Sequence, residues 1–420
     1  MQNLLEGKNI VIGVSGSISI YKSLELIRLF IKSGAKVRVV MSESAKEFIT
    51  PLTFESLTRK KVLHKESESW ADDNNHIDLG KWADLVVIAP ATANTINKIS
   101  NGIADNLLLS LVLAYKKQKI IAPAANTNMY KNPLTQTSLK MLKLTNFDIV
   151  NPQNKMLACG DVGDGALAEV EDIFYASAKA LLKDEYWSNR RVVVSGGGTI
   201  ERIDDVRYIS NFSSGKMASS LSLALYLKGA DVCLIGSKIS DKLPSDLYTI
   251  KVESSKELKE YLVDAIRVAK KGVLTKATLM DDSVPELIQK KPYLFMAAAV
   301  SDYVPKYPQS GKLKKSSIGE EWNLELVKNE DILGSLDKSE VYSVGFKAET
   351  DSQKGLENAK RMLKEKNLDA VCFNDVSKNS FGSDENEIVL LTKDKKIDLP
   401  KSDKLSLSLN LLDKIKILGD

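Results

Sequence analysis

KNIVIGVSG (residues 8–16) and RRVVVSGGG (residues 190–198) decide the fold, because each is a β-branched run closed by a Gly/Ser turn. A strand with one face in water alternates apolar and polar residues. An unbroken run buries both faces, as in a parallel sheet covered by helices. The first run continues as SISIYKSLELIRLFIKSGA (17–35), an amphipathic helix stopped by Gly34, and then KVRVVMS (36–42), a second strand. The second continues through a loop to KMASSLSLALYLKGA (216–230) and DVCLIGS (231–237). Two such openings predict two doubly wound, mainly parallel α/β domains, residues 1–184 and 190–420. The polar, aromatic LLKDEYWSNRR (181–191) reads as the joint between them.

The same patterns predict strands in ADLVVIAP (83–90), QKIIAP (118–123) and FDIVNP (147–152), with helices around 93–115, 132–145 and 169–183. In the second half, YLFMAAAV (293–300), VYSVGF (341–346) and LDAVCFN (368–374) read as strands. Helices are expected near 255–271, 352–367 and 402–417, and NEIVLLTKDKKIDLP (386–400) reads as a hairpin with a charged turn. VLTKATLMDDSVPEL (273–287) fits neither period.

A chain of 420 residues exceeds what one hydrophobic core serves, and 43% hydrophobic with 27% charged residues is ordinary globular composition. A net charge of +4, dispersed along the chain, gives no argument for nucleic acid or membrane as a partner. No stretch reaches the ~18 uninterrupted apolar residues of a membrane span, and MQNLLEGKN carries no signal-peptide pattern, so a cytoplasmic protein is expected. Cys159, Cys233 and Cys372 form no CxxC pair, which argues against a disulfide framework or a zinc site. Cys233 and Cys372 lie in apolar strand-like runs and read as small core residues. Cys159 lies in the polar, Gly-rich ACGDVGDG (158–165), which is not an apolar strand-like run.

Open α/β sheets bind ligands beyond the carboxyl ends of their strands. There the sequence puts GVSGSISIYK (13–22), IAPATAN (88–94), IAPAANTNMY (121–130) and NPQNKMLACG (151–160). Each has an ordinary reading when taken alone. GVSGS is neither GxGxxG nor a nucleotide P-loop and serves as a tight turn; Asn126 and Asn128 are plausible helix caps; Cys159 is a loop cysteine. His76, one of two histidines, reads as a polar loop residue at the entrance of a strand. It falls at the wrong end of that strand for the ligand edge, unless its loop folds over or serves a neighbouring subunit.

Taken together, these stretches carry a resemblance. GVSGSISIYK, HIDLGKWADLVVIAPATANTINKISNGIADNLL (76–108), PAANTNMY (123–130) and ACGDVGDG resemble the flavin-dependent phosphopantothenoylcysteine decarboxylases. SGGGTIERIDDVRYISNFSSGKMA (195–218), AAAVSDYVP (297–305), KLKK (312–315), VKNEDIL (327–333), VGFKAET (344–350) and FNDV (373–376) resemble the phosphopantothenate-cysteine ligases. Essentially the whole chain is thereby similar to the fused bifunctional enzymes of bacterial coenzyme A biosynthesis. The resemblance implies a flavodoxin-like FMN domain followed by a Rossmann-like ligase domain. It also implies FMN as cofactor, Mg2+, CTP as co-substrate, and 4'-phosphopantothenate and cysteine as substrates. In such enzymes the cysteine thiol is oxidised to a thioaldehyde by FMN, carbon dioxide leaves an ene-thiolate, and hydride and a proton return.

Carried over by position, the resemblance makes His76 the essential histidine, Asn126 the substrate-binding asparagine and Cys159 the proton donor. It gives FMN to Ser15, Ser17, Ser42, Thr92 and Asn94. In the ligase half it implies that Gly196 and Gly197 hold phosphates and that Asn211 binds the acyl-cytidylate. Lys312 sits on a flap, and Asp302 serves the metal or cytidine end. Phe346, Lys347, Lys364, Lys366 and Asn374 are nucleotide contacts. A homo-oligomer, a trimer-based dodecamer with the histidine reaching a neighbour's flavin, is implied too, and would resolve the placement of His76. The chain departs from the family at Ala125, often Met, at Asp205 and Glu330, often Pro, and at Ala218, often Gly. GKLKKSS also fits a solvated basic loop. A flavin prenyltransferase-like or peptidyl-cysteine decarboxylase relative, or a flavoprotein scaffold without catalysis, are the rival readings; the intact His76, Asn126, Cys159, Asn211 and Lys312 stand against the scaffold.

Overall fold

The computed structural model describes residues 3–72, 74–157, 160–280, 284–314, 319–377 and 382–419. They form two compact units, Met1–Lys183 with Lys276–Glu286, and Asp184–Thr275 with Leu287–Asp420.

In the first unit β1 (Asn9–Val14), β2 (Lys36–Met41), β3 (Leu85–Ala91), β4 (Lys119–Pro123) and β5 (Phe147–Ile149) build one sheet in the order β2-β1-β3-β4-β5. All its pairings are parallel, as the unbroken apolar runs require. Alternate residues serve opposite faces. Val11, Val86 and Ile88 join Ile96, Leu107, Leu108 and Leu111 in one buried cluster. The helices 21–32 and 170–182 meet through Phe30 and Phe174, whose ring centroids are 5.5 Å apart.

The helix expected over 93–115 is two helices, Ala93–Ser100 and Leu107–Ala114. The polar NGIADN between them explains the break: Gly102 takes φ +68°, and the Asn106 side chain caps the second helix by accepting the Leu109 N–H. The helix near 132–145 is Pro133–Lys143, preceded by a short helix Thr127–Lys131. Two further strands, β6 (Gln153–Met156) and β7 (Val162–Ala166), form an antiparallel hairpin where the sequence showed only a Gly-rich loop.

The second unit contains β8 (Arg191–Gly196), β9 (Ile200–Arg202), β10 (Tyr208–Ser210), β11 (Asp231–Gly236), β12 (Tyr248–Lys251), β13 (Val273–Leu274), β14 (Leu287–Ile288), β15 (Tyr293–Met296), β16 (Tyr303–Pro305), β17 (Leu326–Lys328), β18 (Tyr342–Glu349), β19 (Ala370–Asp375), β20 (Glu385–Thr392) and β21 (Lys396–Asp403). Among the described residues its main sheet runs β12-β11-β8-β15-β18-β19-β20-β21. It is parallel from β12 to β19; the expected hairpin, β20 with β21, closes it antiparallel. Cys372 is buried and Cys233 half-buried; burial raises both thiols, that of Cys233 to about 11, which keeps them protonated. Residues 273–287 open and close with the antiparallel pair β13 and β14, while Lys276–Glu286 groups with the first unit. The stretch read as a joint is largely folded into the second unit. Trp187 is fully buried against Tyr293, and the Arg190 guanidinium lies 4.1 Å from the Tyr186 ring.

Lys119, at the start of β4, is only 4% exposed. Its Nζ donates to the Tyr115 carbonyl at 2.7 Å and the Lys117 carbonyl at 3.2 Å, and burial pushes its pKa down to about 8. Between that pH and the ordinary lysine value of 10.5, the unfolded chain holds a proton that the folded one has lost. Stability therefore rises with pH across that window. We expect the unfolding free energy of the protein, measured by urea titration against Lys119→Met, to shift in its favour from pH 8 to 10 and to stay level from pH 6 to 7.

Candidate active sites

In the first unit, polar loops leave the carboxyl ends of adjacent strands in the spatial order of the sheet. Ser42 follows β2, Ser15 and Ser17 follow β1, Thr92 and Asn94 follow β3, and Asn126 follows β4. Ser15 ties two of these loops together: its Oγ donates to the Pro90 carbonyl at 2.8 Å and accepts the Thr92 N–H at 3.0 Å. Ser17 caps the short helix at 18–20 and Thr92 caps Ala93–Ser100. A Cβ on Gly16 would lie 2.9 Å from the Ser44 carbonyl oxygen, so glycine lets the loops after β1 and β2 close on each other. Asn94 is exposed at the second position of its helix. Hydroxyls and backbone N–H groups without a clustered positive charge suit a phosphate ester beside a neutral ring system. By this donor chemistry the edge fits FMN.

Asn126 caps the helix Thr127–Lys131, and its Oδ1 accepts the Asn128 N–H at 2.9 Å. The β6–β7 hairpin lies on this loop. The Ala125 N–H donates to the Gly165 carbonyl at 3.0 Å, and Lys131 pairs with Asp164 at 2.8 Å. Gly165 has φ +135°, and a Cβ there would lie 2.2 Å from the Ala125 carbonyl oxygen. Cys159 lies outside the described residues. The Leu157 N–H donates to the Asp161 carbonyl at 2.8 Å.

His76 is not in a loop: it is the first residue of the helix His76–Trp82, capped by the buried Asn75, whose Oδ1 accepts the Ile77 and Asp78 N–H groups at 3.0 Å. Its Nδ1 lies 2.9 Å from Glu68 Oε1, and Trp70 meets its ring edge-on at 5.6 Å between centroids. A carboxylate at Nδ1 places the proton there and leaves the Nε2 lone pair outward. Trp70 is 70% exposed.

In the second unit a cavity of about 990 Å³ opens at the carboxyl ends of β15, β18 and β19. Asn211, Asp302, Phe346, Lys347, Lys366 and Asn374 line it, as do Lys216, Lys328, Asn329 and Lys404, which sequence reasoning passed over. Lys216 had a signal, the SSGK that opens the helix Lys216–Leu227; Lys404, in no motif, had none. Asn211 Nδ2 donates to the Val300 carbonyl at 3.0 Å and Asn329 Nδ2 to the Ser301 carbonyl at 2.8 Å, so both carboxamides brace the extended chain after β15. Lys366 pairs with Asp331 at 2.7 Å, and Lys347 with Glu349 at 3.0 Å. Burial, then the charge of Lys216, holds the Lys404 ammonium below its usual pKa. Among the described residues Asp302 makes no ion pair, and no group of three possible metal ligands lines this cavity. Of the carboxylates that line it, Glu330, Asp331 and Glu385 are held by lysines, which leaves Asp302 to meet Mg2+ carried mainly by substrate phosphates.

Gly196 and Gly197 lie behind the lining. A Cβ on Gly196 would meet the Ala218 Cβ at 2.3 Å, and one on Gly197, at φ +81°, the Lys238 nitrogen at 2.7 Å. These glycines let neighbouring chain cross the end of β8. Lys364 is exposed and away from the cavity, and Lys312 is exposed on a separate loop. That loop is held by Asp204 and Arg207: Arg207 Nη2 donates to the Leu313 carbonyl at 3.1 Å, and the buried Asp204 accepts the Leu313 N–H at 3.2 Å. Burial pushes the Asp204 carboxyl up, but N–H groups of Val206, Arg207 and Leu313 outweigh it and hold it below the usual range.

A hydroxyl-lined sheet edge in one unit and a lysine-lined cavity in the other define a flavoprotein domain joined to a second α/β domain. Sequence models agree: the Flavoprotein family matches residues 1–182, and the DNA/pantothenate metabolism flavoprotein C-terminal domain matches residues 187–278 and 266–418. The coenzyme A biosynthesis bifunctional protein CoaBC of Haemophilus influenzae is 36% identical over 416 residues, 98% of each chain. CoaBC of Bacillus subtilis is 36% identical over 99% of this chain and 98% of its own, and CoaBC of Escherichia coli 35% identical over 98% and 97%. Among solved structures, the C-terminal domain of a CoaBC is 26% identical with a TM-score of 0.43, covering 56% of this chain and 98% of that one. The chain belongs to the family of coenzyme A biosynthesis bifunctional proteins.

The hairpin contact gives a stability prediction. Gly165→Ala forces both a left-handed alanine and the collision with Ala125, and costs about 1–3 kcal/mol, read as a lower melting temperature. Gly102→Ala, at φ +68° with nothing within 4 Å of the new Cβ, carries the backbone cost alone and lowers it less.

Proposed function

We propose that the second unit joins 4'-phosphopantothenate to cysteine, activating the carboxylate with CTP as an acyl-cytidylate, and that the first unit decarboxylates the product to phosphopantetheine with FMN. The observation that carries this is the single alignment at 36% identity spanning both units of a bifunctional relative. The cavity lined by Asn211, Asp302, Phe346, Lys347, Lys366 and Asn374 supports it in the second unit.

Joining two anions in water needs positive charge and N–H donors more than a base. Five lysines line the cavity, Lys216, Lys328, Lys347, Lys366 and Lys404, and the N-terminus of a twelve-residue helix opens into it at Gly215 and Lys216. They hold the triphosphate, Asp302 meets Mg2+ or the cytidine end, and Asn211 holds the acyl-cytidylate. Lys312, on its loop, supplies charge as pyrophosphate departs.

FMN, when bound, supplies a reversible two-electron oxidation of the substrate thiol, which gives the carbanion of decarboxylation an electron sink. The loops of Ser15, Ser17, Ser42, Thr92 and Asn94 hold it. Asn126 binds the substrate without adding charge. His76, its Nδ1 fixed by Glu68, presents Nε2 to accept a proton or stabilise charge. Cys159 donates the last proton. The exposed Trp70 beside His76 supports completion of this site by a neighbouring subunit in a trimer-based dodecamer; a solution mass of one 46.3 kDa chain by light scattering would contradict that assembly.

Single substitutions separate the two sites. His76→Asn should cut decarboxylation by at least ~100-fold, the usual size of a lost acid/base group, and leave ligation unchanged. Lys312→Gln should do the reverse, with supplied phosphopantothenoylcysteine still decarboxylated. Loss of both activities from either change in folded protein would refute the assignment.

A further inference from the structure

Lys312 lies between two amides that are each held by a carboxylate from another segment. Asp205 Oδ2 accepts the Gly311 N–H at 2.8 Å, and the Asp205 N–H reaches the Gly311 carbonyl at 3.4 Å. On the other side, Asp204 Oδ2 accepts the Leu313 N–H at 3.2 Å. The Gln309 N–H, bonded to the Ile203 carbonyl at 2.9 Å, extends the attachment. Asp204 is itself fixed, since its Oδ1 accepts the Val206 and Arg207 N–H groups at 2.8 and 2.7 Å. From there the chain runs through β10 to Asn211 at the cavity wall.

We infer that Asp205 is a positioning residue for ligation: it registers the loop of Lys312 against the segment that carries Asn211, so that ammonium and carboxamide meet the same acyl-nucleotide. The proposal rests on the role of Lys312 given above. Asp204 is buried and structural, whereas Asp205 is exposed and, among the described residues, meets the flap through these two bonds to Gly311. A proline at this position would have neither N–H nor carboxylate and could make neither bond.

Steady-state ligation by the full chain, with CTP varied, tests it. Lys312 acts most as charge develops, so its misplacement lowers kcat more than it raises the KM for CTP. Asp205→Ala should lower kcat roughly 5-fold, the worth of one partly exposed hydrogen bond to a charged group. Asp205→Asn, which keeps an acceptor for the Gly311 N–H, should restore most of it. In the Lys312→Gln background, Asp205→Ala should cost nothing further, because the group it positions is gone. Unchanged kcat in Asp205→Ala, or the same fractional loss on top of Lys312→Gln, overturns the proposal. Full ligation by Lys312→Gln alone removes the role of Lys312 and this inference with it, a failure distinct from an inert Asp205.

Discussion

Parallel pairing is the constraint from which both sites follow. Strands that run the same way bring their carboxyl ends to one edge, and the chain leaving each end must loop out before it can return as a helix. Backbone N–H groups at those loops and helix starts have no strand partner, and they are available to a phosphate. Both units use this edge, and they differ in what the sequence adds to it. After β1, β2 and β3 come serine and threonine; around β15, β18 and β19 come lysines. The first equipment suits a phosphate ester beside a neutral ring system, the second a more highly charged anion.

Close approach of backbone segments is the second requirement, and the glycines show where it operates. Gly16 admits Ser44, Gly165 admits the Ala125 carbonyl, and Gly197 admits Lys238. Two family departures acquire a physical account here. Ala218 is buried against Gly196, so a methyl group fills the space at the end of β8 that glycine would leave. Glu330 pairs with Lys259 at 2.5 Å, an exposed contact that solvent screens.

The sheets were legible because continuous burial writes a continuous apolar run, and the helix starts because Gly/Ser turns precede them. The break at Gly102 was missed since the apolar period resumes almost in phase at Leu107. The β6–β7 hairpin was missed because Gln153–Met156 is largely exposed and polar, leaving no apolar alternation to read. Family likeness, not periodicity, pointed to Asn211, Phe346 and Asn374, which the fold then gathers at one cavity. Lys404 belongs to the same wall yet arrives from the far end of the chain; only folding brings it there. Lys364 was expected with Lys366, but only Lys366, just past the helix end, reaches Asp331.

The central claim is that one chain performs two consecutive steps, and product analysis by mass spectrometry tests it most directly. Purified protein with FMN would be given 4'-phosphopantothenate, cysteine, CTP and Mg2+. The account predicts phosphopantetheine together with CMP and pyrophosphate. Phosphopantothenoylcysteine accumulating without loss of carbon dioxide, or cysteine and CTP left unconsumed, would contradict it.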